Sequence, residues 1–335
     1  RMKLDFSFIV PVFNRPNEIK ELLESLLEQT YTLPYEIVIV EDGSTISSEE
    51  IVSEFQSRLN ITYLQKPNSG PGDSRNYGMK RAKGNYFIVL DSDCILPPQY
   101  LTEASKALEK NYVDCYGGPD AAHESFSMIQ KAINYAMTSF LTTGGIRGGK
   151  NSVDKFQPRS FNMGISKKAF EVTGGYGNIH PGEDPDLTIR IWNNGFQTRL
   201  IPEAFVYHKR RIDWNKFYIQ VNKFGMVRPI LNTWHPETKK ITYWFPTIFC
   251  LGFVVAFILA VAGFTFPIYL FVLYFIVLFT DSVLKNKNIA IAILSLVAVV
   301  IQFVGYGYGF LKSTILLNFN KKSPQELFPK LFFIK

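Results

Sequence analysis

The chain opens on an apolar run, Phe6 to Val12, which ends in Pro11-Val12-Phe13-Asn14. A short apolar run closed by a turn signal predicts a buried strand leading into a loop. Pro16 and Glu18 suit a helix start, and Ile19, Leu22, Leu23, Leu26 and Leu27 recur at helical spacing. The alternation then repeats. Tyr35 to Val40 predicts a second strand, closed by Glu41-Asp42-Gly43-Ser44, and a helix follows over Ser48 to Arg58. Ile61 to Leu64 predicts a third strand, and the glycine-rich turn Asn68 to Gly72 leads into a helix around Arg75 to Arg81. Tyr86 to Leu90 predicts a fourth strand, with Asp91-Ser92-Asp93 at its carboxyl end. Strands alternating with helices predict an α/β fold with a doubly wound, mostly parallel sheet. Such sheets bind ligands beyond the carboxyl ends of their strands, where Asp42, Asp91 and Asp93 fall.

Residues 95–200 are less regular. Leu101 to Lys110 predicts a helix, Val113 to Gly117 a strand, and Ser125 to Leu141 carries apolar residues at helical spacing. Thr143 to Ser160 is rich in glycine, Phe161 to Ser166 predicts a strand, and a helix starts near Glu183. Three apolar stretches come last: Tyr243–Ala262, Thr265–Thr280 and Asn288–Phe310. The first and third are long enough to span a bilayer, and the second borrows flanking residues through Ser282. A soluble core helix rarely runs so long without a charge. Before them, Trp214, Phe217, Tyr218, Val221 and Phe224 share one helical face. That face fits either core packing or an interfacial helix, and the apolar region close behind it favours the second. The chain thus divides into an α/β domain (1–211), an interfacial helix and linker (212–242), a membrane region of about three helices (243–311) and a basic amphipathic tail (312–335).

Composition sharpens this division. Of 335 residues, 47 % are hydrophobic and 19 % charged, and the excess grease is concentrated after residue 240. The formal net charge is +7. Lys209, Arg210 and Arg211 precede the apolar region and Lys312, Lys321, Lys322 and Lys330 follow it, so a membrane surface explains the charge better than nucleic acid. No nucleic-acid motif is present. The three cysteines, Cys94, Cys115 and Cys250, are far apart and form no metal-type pair. They suit reduced residues of a cytosol-facing protein. Lys3 and Asp5 interrupt the first apolar run, which does not read as a signal peptide.

The acids carry the chemistry. Two carboxylates at i and i+2 after a buried strand, Asp91 and Asp93, can reach one hard cation such as Mg²⁺ or Mn²⁺. Asp42 is either an Asp-Gly turn or an acceptor for a nucleotide base or ribose. Asn68 to Arg75 is either a turn with a helix cap or a place where backbone amides and Arg75 approach a diphosphate. Glu183 and Asp184 open a helix after His180-Pro181-Gly182, and acids in a first turn commonly answer the helix dipole. His208 ends a short apolar strand beside a run of cations, so it is a candidate metal or phosphate ligand.

Phe8-Ile9-Val10-Pro11-Val12-Phe13-Asn14, Val40 to Ser44, Asn68 to Arg75, Asp91-Ser92-Asp93, Asn162-Met163-Gly164 and Gly182-Glu183-Asp184 stand in the order seen in family 2 glycosyltransferases. The resemblance covers about residues 5–210 and implies the GT-A fold and an inverting transfer from a nucleotide-sugar donor. Pro11, Phe13 and Asp42 would hold the nucleotide. Arg75 and Asp91 would contact base, ribose or diphosphate, and Asp93 would bind the metal with Asp91 and His208. Asp184 would be the catalytic base, with Glu183 and Asp186 as competitors. Gln220-Val221-Asn222-Lys223-Phe224-Gly225 resembles the Gln-x-x-Arg-Trp element of membrane synthases but departs from it at two positions, which speaks against processive synthesis. Gln220, Lys223 and Asn162 would gate donor and acceptor. The acceptor is a lipid-linked sugar, a polyprenyl phosphate or a growing glycan; an anchor favours the lipid-linked one. A non-catalytic scaffold would be expected to have lost Asp93 or Asp184, and both are present. The apolar stretches predict a multi-pass protein of the inner (plasma) membrane, and residues 1–240 are expected in the cytosol, where nucleotide sugars are available. Three spans would put the lysine-rich tail outside, against the positive-inside rule. Either the tail escapes that rule, or the third stretch, broken by Gly305, Gly307 and Gly309, does not fully cross.

Overall fold

The computed structural model describes residues 3–121, 126–144, 155–208 and 213–333. The basic run at 209–211 and much of the glycine-rich 143–160 stretch lie outside the described residues. Two compact units form: Arg1–His123 with Ser152–Lys209 and Phe332–Lys335, and Glu124–Asn151 with Arg210–Leu331.

In the first unit β1 (Phe6–Val12), α1 (Pro16–Leu27), β2 (Glu36–Asp42), α2 (Glu49–Phe55), β3 (Ile61–Lys66), α3 (Pro71–Met79) and β4 (Tyr86–Leu90) alternate. β1 pairs in parallel with both β2 and β4, and β2 with β3. Every residue of β1, β2 and β4 is buried, as near-continuous apolar runs require when helices cover both sheet faces. Alternate side chains divide between the faces. Phe8, Val10, Ile37 and Ile39 join the core under α1, while Ile9, Val38, Val40 and Val89 join the other.

The later elements complete and edge this sheet. They are β5 (Cys94–Ile95), α4 (Tyr100–Lys110), β6 (Cys115–Gly117) and β7 (Asp120–Ala121). In the second unit come α5 (Met128–Thr138) and α6 (Phe140–Thr143). The first unit resumes with β8 (Asn162–Ser166), α7 (Lys167–Thr173), α8 (Glu183–Asn193), β9 (Thr198–Leu200) and β10 (Val206–His208). The main sheet has seven strands in the order β3-β2-β1-β4-β8-β6-β9, and β5-β10-β7 form a second, small sheet. Only β8 runs against its neighbours β4 and β6 in the main sheet. This is the mostly parallel sheet that the hydrophobic alternation predicts.

The second unit continues with α9 (Trp214–Trp234), α10 (Phe245–Val261), α11 (Phe266–Asn286), α12 (Ile289–Phe319) and α13 (Pro324–Leu327). Three of these helices, with α10 extended back to Ile241, are long and apolar enough to cross a membrane. The second apolar stretch runs past Ser282 to Asn286, and the third runs on to Phe319. Asp213 caps α9 by accepting from Lys216 N, and Asn288 caps α12 by accepting from Ile291 N. Phe217 and Val221, which sequence put on the membrane face of an interfacial helix, are buried with Ile133, Ala136, Leu278, Val299 and Phe303. Their face is core packing, because α9 has other helices of its own unit to lie against.

Candidate active site

β4 carries Asp91 to the carboxyl edge of the sheet, and the chain turns at once into β5. β5 pairs antiparallel with β10, which sets His208 opposite Cys94. His208 Nε2 thereby lies 3.1 Å from Asp93 Oδ1 and 3.8 Å from Asp91 Oδ2. Arg15, from the loop after β1, donates to Asp93 Oδ2 at 2.7 Å. Burial alone would raise the Asp93 pKa, but His208 and Arg15 outweigh it and hold the group at about 2. Two carboxylates and an imidazole suit a divalent cation, the carboxylates serving Mg²⁺ or Mn²⁺ and the imidazole tilting the set toward a transition ion. Ligand atoms of Asp93, Cys94 and His208 all lie within 4.8 Å of one another. Cys94 is the poor member. Burial pushes its thiol well up, and its Sγ donates to the Phe161 carbonyl.

Asp42 ends β2 facing the turn before α3. Its carboxylate accepts from Lys66 Nζ at 2.5 Å, from the backbone N–H groups of Ser69 (2.9 Å) and Gly70 (3.0 Å), and from Asn68 Nδ2. Asp42 therefore holds the shape of the glycine-rich loop. Gly70 has φ 92°, which favours glycine. A Cβ there would also meet the Phe333 ring at 2.5 Å.

Arg75 rises from α3 into the interior. Its Nη2 donates to Asp91 Oδ1 at 2.9 Å and its Nη1 to Glu183 Oε1 at 3.1 Å, with Tyr176 under the guanidinium at 5.2 Å. Glu183 also meets His180 Nδ1 at 2.9 Å. Burial opposes ionisation of Glu183, yet His180 and Arg75 outweigh it and hold the group at about 2. His180 is raised in turn: burial works against its charge, and Glu183 overcomes that.

Asp184 differs from its neighbours. Its Oδ2 accepts from Ser160 N at 3.1 Å, whereas its buried Oδ1 has no hydrogen-bond partner among the described residues. Burial raises its pKa, and the Glu183 charge raises it further. A carboxylate with one oxygen uncommitted and a raised pKa is suited to accept a proton. Glu183 is committed to two cations. Asp186 is committed to Arg190 at 2.8 Å.

The remaining expected residues separate. Pro11 is buried in β1, in register with Val40, and Phe13 is exposed in the following loop. Asn162 is buried, accepting from the Tyr100 hydroxyl at 2.5 Å and donating to the Ala204 carbonyl at 2.8 Å, which ties β8 to its surroundings. Gln220 and Lys223 lie on α9 in the second unit. Sequence reading missed Arg15, Lys66, Tyr176 and the His180–Glu183 pair. Lys66 ends β3 beside the end of β2, a position the strand pattern could have offered. Arg15 and Tyr176 carry no such signal.

The glycosyl transferase family 2 model matches residues 7–171. Those residues are a family 2 glycosyl transferase domain. Poly(ribitol-phosphate) beta-N-acetylglucosaminyltransferase TarS of Staphylococcus aureus is 33 % identical over 114 residues, 33 % of this chain and 20 % of that protein. Chondroitin synthase of Escherichia coli is 25 % identical over 236 residues, 61 % of this chain and 34 % of that one. The chain thus spans between a fifth and a third of the length of these relatives. The structure of S. aureus TarS 1–349 with UDP-GlcNAc matches with a TM-score of 0.50 at 22 % identity, over 67 % of each chain. A mannosyltransferase from Pyrobaculum calidifontis, solved with GDP-Man and Mn²⁺, matches with a TM-score of 0.55 at 14 % identity, over 96 % of this chain and 89 % of that one. At these identities the structures show a common fold. The family 2 match stops at residue 171, so Glu183, Asp184 and His208 lie outside the matched region.

Proposed function

We propose that the chain is an inverting glycosyltransferase that moves a sugar from a nucleoside-diphosphate donor to a lipid-linked acceptor. One observation carries this reading. A continuous run of charge contacts, Arg15–Asp93–His208–Asp91–Arg75–Glu183–His180, links the acids after β4 to the helix that bears Asp184. Asp93, Asp91 and His208 would hold Mg²⁺ or Mn²⁺, which when bound supplies charge to steady a leaving diphosphate. Pro11, Phe13 and the Asp42-ordered loop would receive the nucleotide, and Arg75 would set the position of Asp91. Asp184 Oδ1 would take the proton of the acceptor hydroxyl. Attack from the side opposite the leaving group inverts the anomeric carbon. The apolar helices support an acceptor presented at a membrane, with residues 1–240 on the cytosolic face, where nucleotide sugars are made. The relatives bound to UDP-GlcNAc and to GDP-Man with Mn²⁺ support the class of donor and cation.

The test is calorimetry of UDP and GDP binding to the purified full chain, with Mn²⁺ or with EDTA. At least one nucleotide should bind, more tightly with Mn²⁺, and Asp93→Ala should abolish that difference. Equal affinity with and without the ion would remove the metal from the proposal.

A further inference from the structure

The chain leaves the catalytic unit at residue 210 and re-enters it at Phe332. The return is specific. Phe332 forms an antiparallel bridge with Ile179, Phe333 N donates to the Asn178 carbonyl at 3.0 Å, and the Phe333 ring lies 6.1 Å from that of His180. A chain that departs from and returns to one unit crosses any membrane an even number of times. Three helices satisfy length and apolarity, so at least one of them does not cross.

Burial identifies that one. Only 11 % of the apolar window is buried in each of the first two candidate spans, against 39 % in α12. On α10 just Thr247 and Ala256 are buried, and on α11 just Leu278 and Ser282. α12 instead buries residues along its length, from Ile291 and Ser295 to Phe310 and Ser313. α9 runs beside its second half: Asn222 Nδ2 donates to the Gly305 carbonyl at 3.0 Å and Ser313 Oγ to the Met226 carbonyl at 2.7 Å. The approach is so close that a Cβ on Gly309 would meet the Asn222 carbonyl at 2.3 Å. α9 carries Lys216, Lys223 and Arg228, and α5, which shares the α12 core, carries Lys131. Sinking α12 to the bilayer centre would drag these cations after it, and each is costly near mid-membrane.

α10 and α11 carry no such burden. No Lys, Arg, Asp or Glu occurs from Ile241 to Thr280, and the turn between the two helices is uncharged. The 17 residues of α10 rise about 25 Å at 1.5 Å per residue, close to a hydrocarbon core of about 30 Å. We infer that α10 and α11 insert into the lipid bilayer as a hairpin with the 262–265 turn leading, while α12 stays at the surface on the side of the catalytic unit. Every flanking cation, Arg228, Lys239, Lys240, Lys285, Lys287, Lys312, Lys321, Lys322 and Lys330, then lies on that one side. This removes the conflict with the positive-inside rule that three crossings create. The inference is independent of the acceptor and of catalysis.

Cysteine accessibility tests it. In a Cys250→Ser background, whose other cysteines are buried, Lys110→Cys reports the catalytic unit, Lys321→Cys the tail and Phe264→Cys the hairpin turn. Sealed membrane vesicles are treated with a membrane-impermeant maleimide before and after detergent. Lys110→Cys and Lys321→Cys should label under the same condition, and Phe264→Cys should not label with them until detergent is added. Labelling of Lys321→Cys from the side opposite Lys110→Cys would restore three crossings. Labelling of Phe264→Cys together with Lys110→Cys in sealed vesicles would mean that the hairpin is not inserted. Trypsin on the unmutated protein gives a second reading: Lys321–Lys322 should be cut only when the catalytic unit is also exposed to the protease.

Discussion

In the catalytic unit Arg75 and Glu183 are buried and charged; in the second unit Leu251, Phe257 and Ile276 are apolar and exposed. Both arrangements are costly in water. A buried charge survives only when partners replace its hydration, and Arg75 has a carboxylate on each side. An exposed apolar face loses about 25 cal/mol for each Å² left wet. A soluble monomer rarely carries a large one. On the proposed function, each unit departs from the ordinary soluble pattern where it would meet something other than water, a polyanionic donor in one case and lipid in the other. Substitutions that exchange the two patterns should do the most damage.

The largest effect belongs to Asp184. Asp184→Asn keeps the size of the side chain and the acceptor for Ser160 N but removes the proton acceptor. Transfer should fall by about 10²–10⁴, the range for a lost general base, with nucleotide affinity unchanged by calorimetry. The base works only when deprotonated, so activity is lost as pH falls through its pKa. Burial and Glu183 both raise that pKa, which places the acid limb of kcat above the usual carboxylate range. Glu183→Gln removes the second cause and should move the limb to lower pH. Near-normal turnover of Asp184→Asn, or a product that retains the donor's anomeric configuration, would point to another residue or mechanism.

Arg75→Met comes next. It leaves Glu183 with only His180 and deprives Asp91 of its strongest partner. Removing one member of a buried ion pair costs about 3–5 kcal/mol, readable as a lowered midpoint in denaturant. Arg75→Lys should recover only part of this, because an ammonium cannot bridge two carboxylates as a planar fork does. Stability equal to wild type in Arg75→Met would mean that the network contributes little.

The same contrast explains what sequence could reveal. The alternation of β1, α1, β2, α2, β3, α3 and β4 was legible because parallel strands need unbroken apolar runs, and the acids at their carboxyl ends were legible with them. Asp184 was reachable through its motif. The meeting of Asp93 with His208 depends on β5 pairing with β10 across more than a hundred residues, and two-residue strands have no pattern of their own. Arg15 and Tyr176 act through long-range placement alone. The motif position of Asn162 suggested a gate, and sequence offered no sign that its amide would be buried with Tyr100 and Ala204 as partners. The three apolar stretches were legible as helices long and apolar enough to cross a membrane, but a helix buried among other helices and one buried in lipid read alike in sequence.

Val255, exposed on α10, tests the second unit. Val255→Arg adds a penalty of about 3 kcal/mol at a mid-membrane position and should release a measurable fraction of the protein from vesicles in a flotation assay. Val172→Arg, at a comparably exposed position on α7 of the first unit, should leave flotation unchanged. Equal retention of both variants would show that lipid does not cover α10.

The smallest expected effect is the control for the whole comparison. Lys106 and Glu103 form an ion pair at 3.0 Å on α4, about as short as Arg75–Glu183 at 3.1 Å. Distance alone would rank them together. The Lys106 side chain is 67 % exposed, however, and that of Arg75 only 4 %. Water already solvates the lysine and screens its partner, so the pair gains little and must also order a long side chain. Its i, i+3 spacing adds only helix-surface stabilisation, about 0.2–0.5 kcal/mol. Lys106→Ala also improves helix propensity slightly, which offsets part of the loss. The denaturation midpoint of Lys106→Ala should therefore shift by less than about 0.5 kcal/mol in either direction, with transfer unchanged. A loss as large as that of Arg75→Met would mean that contact geometry, not burial, sets the worth of a charge pair in this protein, and the case for the buried Arg75 network would fail at its base.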